Sequence, residues 1–240
     1  VRLLPSQFKK LFSMNEVHCE PFYLPNIPVY KAKLPKDIVD DLWKYIDTAV
    51  ERYANDNKSN LYNYRLAGNV DKSLELIDEE NKFFNFVVGP MCGRYLDAQT
   101  KKPNGEREIS NFVYSTTSAS LNCIKLHDLW VNFQNKHEFN PLHDHAGIIS
   151  FVIWMKIPTD YEDQYKIPIA KNSTAKSISN FAFAYTDILG HIQEYSIQMS
   201  SSQNAWMMLF PSSLKHQVYP FYQSDEQRVS ISGNVVFDEV

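Results

Sequence analysis

Apolar and polar positions alternate along this chain in two rhythms, and the change falls near residue 110. Before it the rhythm is helical. Between Lys36 and Tyr53, Ile38, Leu42, Ile46 and Val50 recur in steps of four, with polar residues between them and Pro35 at the first turn. That spacing predicts an amphipathic helix. Glu79 to Leu96 carries Phe83, Phe84, Val87, Val88 and Met91 along one stripe and predicts a second. Between them lies Tyr62-Asn-Tyr-Arg-Leu-Ala-Gly-Asn69, too polar and aromatic for a simple helix. It reads either as a surface connection or as a lid or recognition element.

Beyond residue 110 the pattern shortens to strands. Candidates span 112–117, 124–134, 147–156, 181–187, 193–199, 205–210, 216–221 and 228–237, divided by turns containing Asn, Pro, Ser and Gly. Short strands in succession with no helical crossover predict a mainly β fold, a jelly roll or barrel of antiparallel strands, with the preceding helices packed on one sheet. No internal repeat is present. The expected organisation is one domain, with a helical part over 14–109 and a jelly-roll core over 110–240.

Composition narrows this further. The 240 residues are 44% hydrophobic and 14% aromatic, ample for a buried core. A net charge of −4 offers no general attraction to nucleic acid or to an anionic membrane, so neither is an expected partner. No apolar run is long enough for a transmembrane helix. The three cysteines, Cys19, Cys92 and Cys123, share no metal or redox spacing, and their odd number argues against a disulfide framework. A reducing, cytoplasmic setting is the expectation. Residues 1–13, ahead of Met14, lack the apolar stretch of a secretory signal and read as a leader or appended segment.

Candidate chemistry gathers in the second half. Asn140-Pro-Leu-His-Asp-His-Ala-Gly147 places two histidines one residue apart at the mouth of an apolar strand. Alternation on a strand would turn His143 and His145 to one side and Asp144 to the other. Neutral imidazole suits iron, zinc, copper and nickel, and His216, at the start of a distant strand, is the third candidate ligand. The other histidines, His18, His127, His137 and His191, read as surface or hydrogen-bonded residues. Arg228 opens a strand in which Arg228, Ser230 and Ser232 share one face. An inward arginine is costly unless a carboxylate meets it, and its planar fork suits bidentate binding of one. The plainer alternative is an exposed arginine paired with Asp225 or Glu226 across the turn.

These residues resemble the Fe(II)- and 2-oxoglutarate-dependent oxygenase superfamily, and most nearly an uncharacterised branch with a His-x-His pair common in marine phage and bacteria. The stretches that carry the likeness are Trp130-Val-Asn-Phe133, Pro141-Leu-His-Asp-His145, Ser150-Phe-Val-Ile-Trp-Met-Lys156, Leu209-Phe-Pro-Ser212 and Arg228-Val-Ser-Ile-Ser-Gly-Asn234. The resemblance implies a double-stranded β-helix, with iron on His143, His145 and His216 and 2-oxoglutarate and dioxygen as co-substrates. It further implies that the far carboxylate of 2-oxoglutarate meets Arg228 and Ser230, with Asn132 beside it. Beyond the metal site no catalytic side chain is expected. Trp130, Asn132 and Trp154 are candidates for the substrate pocket, with buried core positions as their alternative.

Most of the superfamily has a carboxylate where this chain has His145. Either three imidazoles hold the ion, or His145 stands back and leaves a position vacant. In a third registration His145 is the first ligand and Gly147 stands in the vacant position, so that His143 is not a ligand. The implied reaction hydroxylates a C–H bond of a peptide or small molecule, releasing succinate and carbon dioxide. A cupin-type metalloprotein and a non-catalytic jelly-roll binding module are the rival readings.

Overall fold

The computed structural model describes residues 19–24, 27–56, 60–99 and 124–238. The expected leader 1–13, His18 and the expected strand 112–117 lie outside them. Eleven strands are described: β1 (Cys19–Leu24), β2 (Ile27–Lys33), β3 (Lys72–Glu75), β4 (Ile124–Gln134), β5 (Asn140–His143), β6 (Ile149–Lys156), β7 (Phe181–Thr186), β8 (Ile192–Ile197), β9 (Trp206–Pro211), β10 (Lys215–Val218) and β11 (Arg228–Phe237). They form a seven-stranded sheet in the order β1-β2-β9-β6-β11-β4-β3 and a four-stranded sheet in the order β5-β10-β7-β8. Every pairing between these strands is antiparallel. This is a mainly β jelly roll with helices packed on one sheet.

Helix α1 (Lys36–Asn55) forms where the first helical rhythm predicts it, with Pro35 as its cap residue. Its buried residues are Leu42, Ile46 and Ala49, while Val50 is 37% exposed. Four-residue steps drift around a helix of 3.6 residues per turn, so the face passes from Ile46 to Ala49. The second rhythm resolves into a π-helical segment, Phe84–Val88, running into α2 (Gly89–Gln99). The Gly89 amide donates to the Phe84 carbonyl, an i→i−5 bond, immediately before Pro90, which has no amide to donate.

The seven-stranded sheet is apolar on both faces, which explains why β6 reads as an uninterrupted hydrophobic run. Phe151, Ile153 and Met155 join Leu42, Ile46, Val88 and Tyr95 in a core between this sheet and the helices. Val152 and Trp154 point the other way, into a second core with Phe181, Phe183, Met208 and Phe210 between the two sheets. The N-terminal part is not purely helical, because β1, β2 and β3 extend this sheet at both ends. β3 is four residues with a lysine and a glutamate at its ends, too short to show an alternating pattern. A short helix, α3 (Tyr161–Lys166), lies between β6 and β7. Among the described residues no helix is long and apolar enough to cross a membrane.

β11 lies between β6 and β4 in the interior of the sheet. Gly233 marks a close approach: a Cβ there would lie 2.4 Å from the Phe151 ring and 2.7 Å from the Asp128 carbonyl oxygen. Gly233→Ala is therefore expected to lower stability by about 1–3 kcal/mol through overpacking. Urea unfolding checks this, and a midpoint equal to wild type would contradict the packing described.

Candidate functional site

Between the sheets is a cavity of about 160 Å³ whose walls include His143, His145, His216, Asn132, Arg228 and Ser230. Inward positions of β4, β11 and β10 supply four of these, and the β5 end and the loop after it supply His143 and His145. His143 is the last residue of β5 and lies opposite His216 in the β5–β10 register. His145 lies beyond the strand, so strand alternation does not align the pair as expected. The loop does that instead. The His145 amide donates to the Ser212 carbonyl at 2.9 Å, and two residues on Gly147 takes φ 113°. A Cβ at Gly147 would lie 2.8 Å from the Val235 carbonyl oxygen, so the turn that returns the chain to β6 needs glycine there.

The three imidazoles converge. Each offers a ring nitrogen, and these nitrogens lie within 4.8 Å of one another. Ring centroids are 4.3 Å apart for His143–His216 and 5.0 Å for the other two pairs. His143 Nδ1 donates to the Pro141 carbonyl at 2.7 Å, and His216 Nδ1 donates to the Leu214 carbonyl at 3.0 Å. Both bonds put the proton on Nδ1 and leave Nε2 as a bare lone pair facing the cluster. His145 Nε2 stands 3.2 Å from His216 Nε2, so either a proton or a shared cation must lie between them. Phe181 stacks on His216 at 5.6 Å and Phe210 meets its edge at 5.0 Å.

Burial keeps the rings neutral. It lowers the pKa of His143, pushes His145 down to about 4, and with the neighbouring histidines pushes His216 down to about 3. Neutral imidazole is the ligand form, so the donor set is ready for a divalent ion without expelling protons. Asp144 turns to solvent, where its carboxylate accepts from Lys215 at 2.8 Å.

Arg228 is 2% exposed. It does not pair across the turn, because Asp225 takes Lys136 and Glu226 takes Lys156. One amino group, Nη2, donates to the Ser179 carbonyl at 2.8 Å and to the Ser179 hydroxyl at 2.7 Å. Its Nε and Nη1 are buried with no hydrogen-bond partner. The guanidinium carbon lies 5.1 Å over the Phe221 ring, and desolvation lowers its pKa to about 9. Among the described residues no carboxylate lies within ion-pair distance of it. A buried cation with unmet donors is costly, and a ligand carboxylate in the cavity would meet the need. Ser230 lines the same wall, and Asn132 accepts from Ser73 Oγ at 2.7 Å, which leaves its amide NH₂ for the cavity.

Sequence reasoning misses the residue behind Arg228 but anticipates other parts of the wall. Ser179 holds φ 67° and aims both oxygens at Arg228, and no local motif marks it. Arg65, Leu66, Ala67 and Gly68, from the polar-aromatic stretch, line one side of the cavity. That stretch is fastened at both ends: Tyr62 N donates to the Ser73 carbonyl at 2.8 Å, and Asn69 N to the Phe139 carbonyl at 2.8 Å. A Cβ on Gly68 would lie 2.2 Å from Asn140 Oδ1. The stretch is a fitted wall. Trp130 and Trp154 are buried and line the cavity as well.

Residues 128–234 match the family described as "Putative 2OG-Fe(II) oxygenase". A comparison with curated proteins gives no match. Among solved structures, the chain is similar to a 2OG-Fe(II) oxygenase family oxidoreductase from Burkholderia pseudomallei at 12% identity and a TM-score of 0.34. That likeness covers 52% of this chain and spans about half, 50%, of the other. It is also similar to a prolyl-4-hydroxylase from Pseudomonas putida at 11% identity and a TM-score of 0.44, covering 95% of this chain and 96% of that one.

The depressed histidines have a consequence for stability. Their pKa values are lowered in the folded state, while unfolding returns each to roughly 6.5. The unfolded chain therefore takes up protons first as pH falls, and stability present above about pH 6.5 is lost progressively below it. Without added metal, Tm is expected to fall between about pH 7 and about pH 5, and less steeply in His216→Gln. Parallel profiles for the two proteins would contradict this assignment.

Proposed function

Because residues 128–234 belong to the Fe(II)- and 2-oxoglutarate-dependent oxygenase superfamily, we propose that this protein hydroxylates a C–H bond of a small molecule or peptide. Iron is held by His143, His145 and His216, and the co-substrate is anchored by Arg228 and Ser230. One observation carries the reading: a fully buried guanidinium with two orphaned N–H groups lines the same cavity as three converging, neutral imidazoles. The donor set suits the implied groups. Neutral nitrogens fit Fe(II), and a planar cation without an acid partner fits one end of a dicarboxylate.

When bound, iron with dioxygen supplies the oxidation: 2-oxoglutarate is converted to succinate and carbon dioxide, one oxygen atom entering succinate and the other the substrate C–H bond. The protein's own contribution is placement. Ser179 fixes the Arg228 guanidinium through Nη2 and leaves Nε and Nη1 as the donors without a partner. Asn132 and Ser230 face each other across β4 and β11 and add neutral polar groups to the same wall. Phe181 and Phe210 keep water from the His216 side of the cluster. No side chain is required to move a proton, which agrees with a cluster of histidines kept neutral.

The test is turnover of 2-oxoglutarate to succinate with Fe(II) under air. Arg228→Ala is expected to raise the KM for 2-oxoglutarate about 100-fold, the loss of roughly 3 kcal/mol of charge-assisted hydrogen bonding. Undiminished turnover in that variant would remove the anchor from the reading. His216→Ala and His143→Ala are expected to lose stoichiometric iron in anaerobic metal analysis, whereas His145→Asp retains it. Full iron affinity in His143→Ala would shift the ligand set to the registration that begins at His145.

A further inference from the structure

Asp128 stands one layer behind the cavity wall. Its side chain is 15% exposed. On β4 it lies opposite Asn234 of β11, which in turn lies opposite Ser150 of β6. The Tyr62 hydroxyl and Arg65 Nη1 donate to its Oδ1, the latter at 3.4 Å, and Asn234 Nδ2 donates to its Oδ2 at 3.2 Å.

Two paths lead from this carboxylate to His145. The first is polar. Ser150 donates its hydroxyl to Asn234 Oδ1 at 2.8 Å and lies 2.8 Å from the hydroxyl of Ser212, whose carbonyl accepts the His145 amide at 2.9 Å. Ser150 and Ser212 are buried, so this chain is shielded from solvent. The second path is aromatic. Tyr62 stacks on Trp130 with centroids 5.4 Å apart and planes 19° apart, and Trp130 meets the His145 ring at 5.6 Å. Asp128, Tyr62, Asn234 and Ser150 do not line the cavity; of the residues bonded to Asp128, Arg65 does.

The donor set itself shows why such a group matters. Three neutral imidazoles leave a dication's charge uncompensated inside a low-dielectric wall, where an aspartate or glutamate ligand would cancel half of it. Asp144, between the two histidines in sequence, is half exposed and paired with Lys215 at 2.8 Å, whereas Asp128 is largely buried and its ion pair, with Arg65, is longer at 3.4 Å.

We propose that Asp128 is the counter-charge and positioning residue of the three-histidine centre. Its carboxylate supplies from behind His145 the negative charge that this donor set lacks, and its hydrogen bonds hold the His145 loop in place for the ion. The inference rests on the reading that the three histidines hold a metal.

Anaerobic titration of the full chain with Fe(II), and separately with Co(II), tests it. Asp128→Asn keeps the size and an acceptor oxygen but removes the charge. Its metal affinity is expected to fall about 10–100-fold, the usual effect of losing an outer-shell partner. The visible absorption maximum of its Fe(II)–2-oxoglutarate complex is expected to move as well. A purely structural role predicts the same loss whatever occupies position 145. A counter-charge predicts that Asp128→Asn costs little once His145→Asp has placed a carboxylate in the ligand set. Equal losses in the two backgrounds, or wild-type affinity and absorption in Asp128→Asn, would overturn the proposal. If Asp128→Asn is too unstable to load, Asp128→Ser, also uncharged, carries the same expectations. Wild-type protein that binds no Fe(II) or Co(II) would instead defeat the metal-centre reading itself.

Discussion

The two-residue alternation of β11 is the constraint on which both the core and the cavity depend. This strand lies between β4 and β6, so each of its side chains is committed to one of two buried environments. Val229, Ile231 and Val235 enter the core shared with the helices, while Arg228, Ser230 and Ser232 line the cavity. Slipping the register by one residue would put the guanidinium among leucines and valines and the valines against the histidine cluster. The close approach at Gly233, against Phe151 and the Asp128 carbonyl, helps hold that register. Core packing and site chemistry are thus two consequences of one pairing.

Electrostatics follow from the same arrangement. The inner wall offers one buried arginine, Arg228, and three imidazoles, and burial depresses the proton affinity of all four. Holding a cation in such a place works against folding, and Ser179 answers Nη2 of the guanidinium while Nε and Nη1 stay without a partner. A site with this surplus of unmet positive character favours a dianion, and it favours it most when a divalent cation is also present. The cavity is therefore selective by charge before it is selective by shape.

Much of this was legible because strands in a jelly roll leave a two-residue signature. β4 and β11 fall on their predicted limits, and β6, β7, β8, β9 and β10 fall within one to three residues of theirs. The elements that were missed lack the signature for identifiable reasons. β5 is four residues long and contains Pro141, so it reads as a turn, and the pairing of His143 with His216 rests on it. β2 carries Pro28 and two lysines among its apolar residues. Two residues behind the cavity wall that were missed, Ser179 and Asp128, act through tertiary hydrogen bonds across 49 to 106 positions of sequence, where no local pattern exists.

His145 shows where strand reasoning stops. Its partners in the cluster are fixed by backbone pairing, since His143 and His216 face each other across a ladder. His145 has no ladder, and its position is determined by one hydrogen bond from its amide to the Ser212 carbonyl, a positive-φ turn at Gly147 and the Trp130 ring. A ligand held by a loop and a stack can be exchanged for one of different size more readily than a ligand held in a sheet, because the loop can adjust without breaking register. A change of residue type is thus most easily accommodated at this position of the triad. Asp128 lies on β4 beside the one shift in the β4–β11 register, between Asn234 and Val235, so its side chain is fixed by its hydrogen bonds as much as by the ladder.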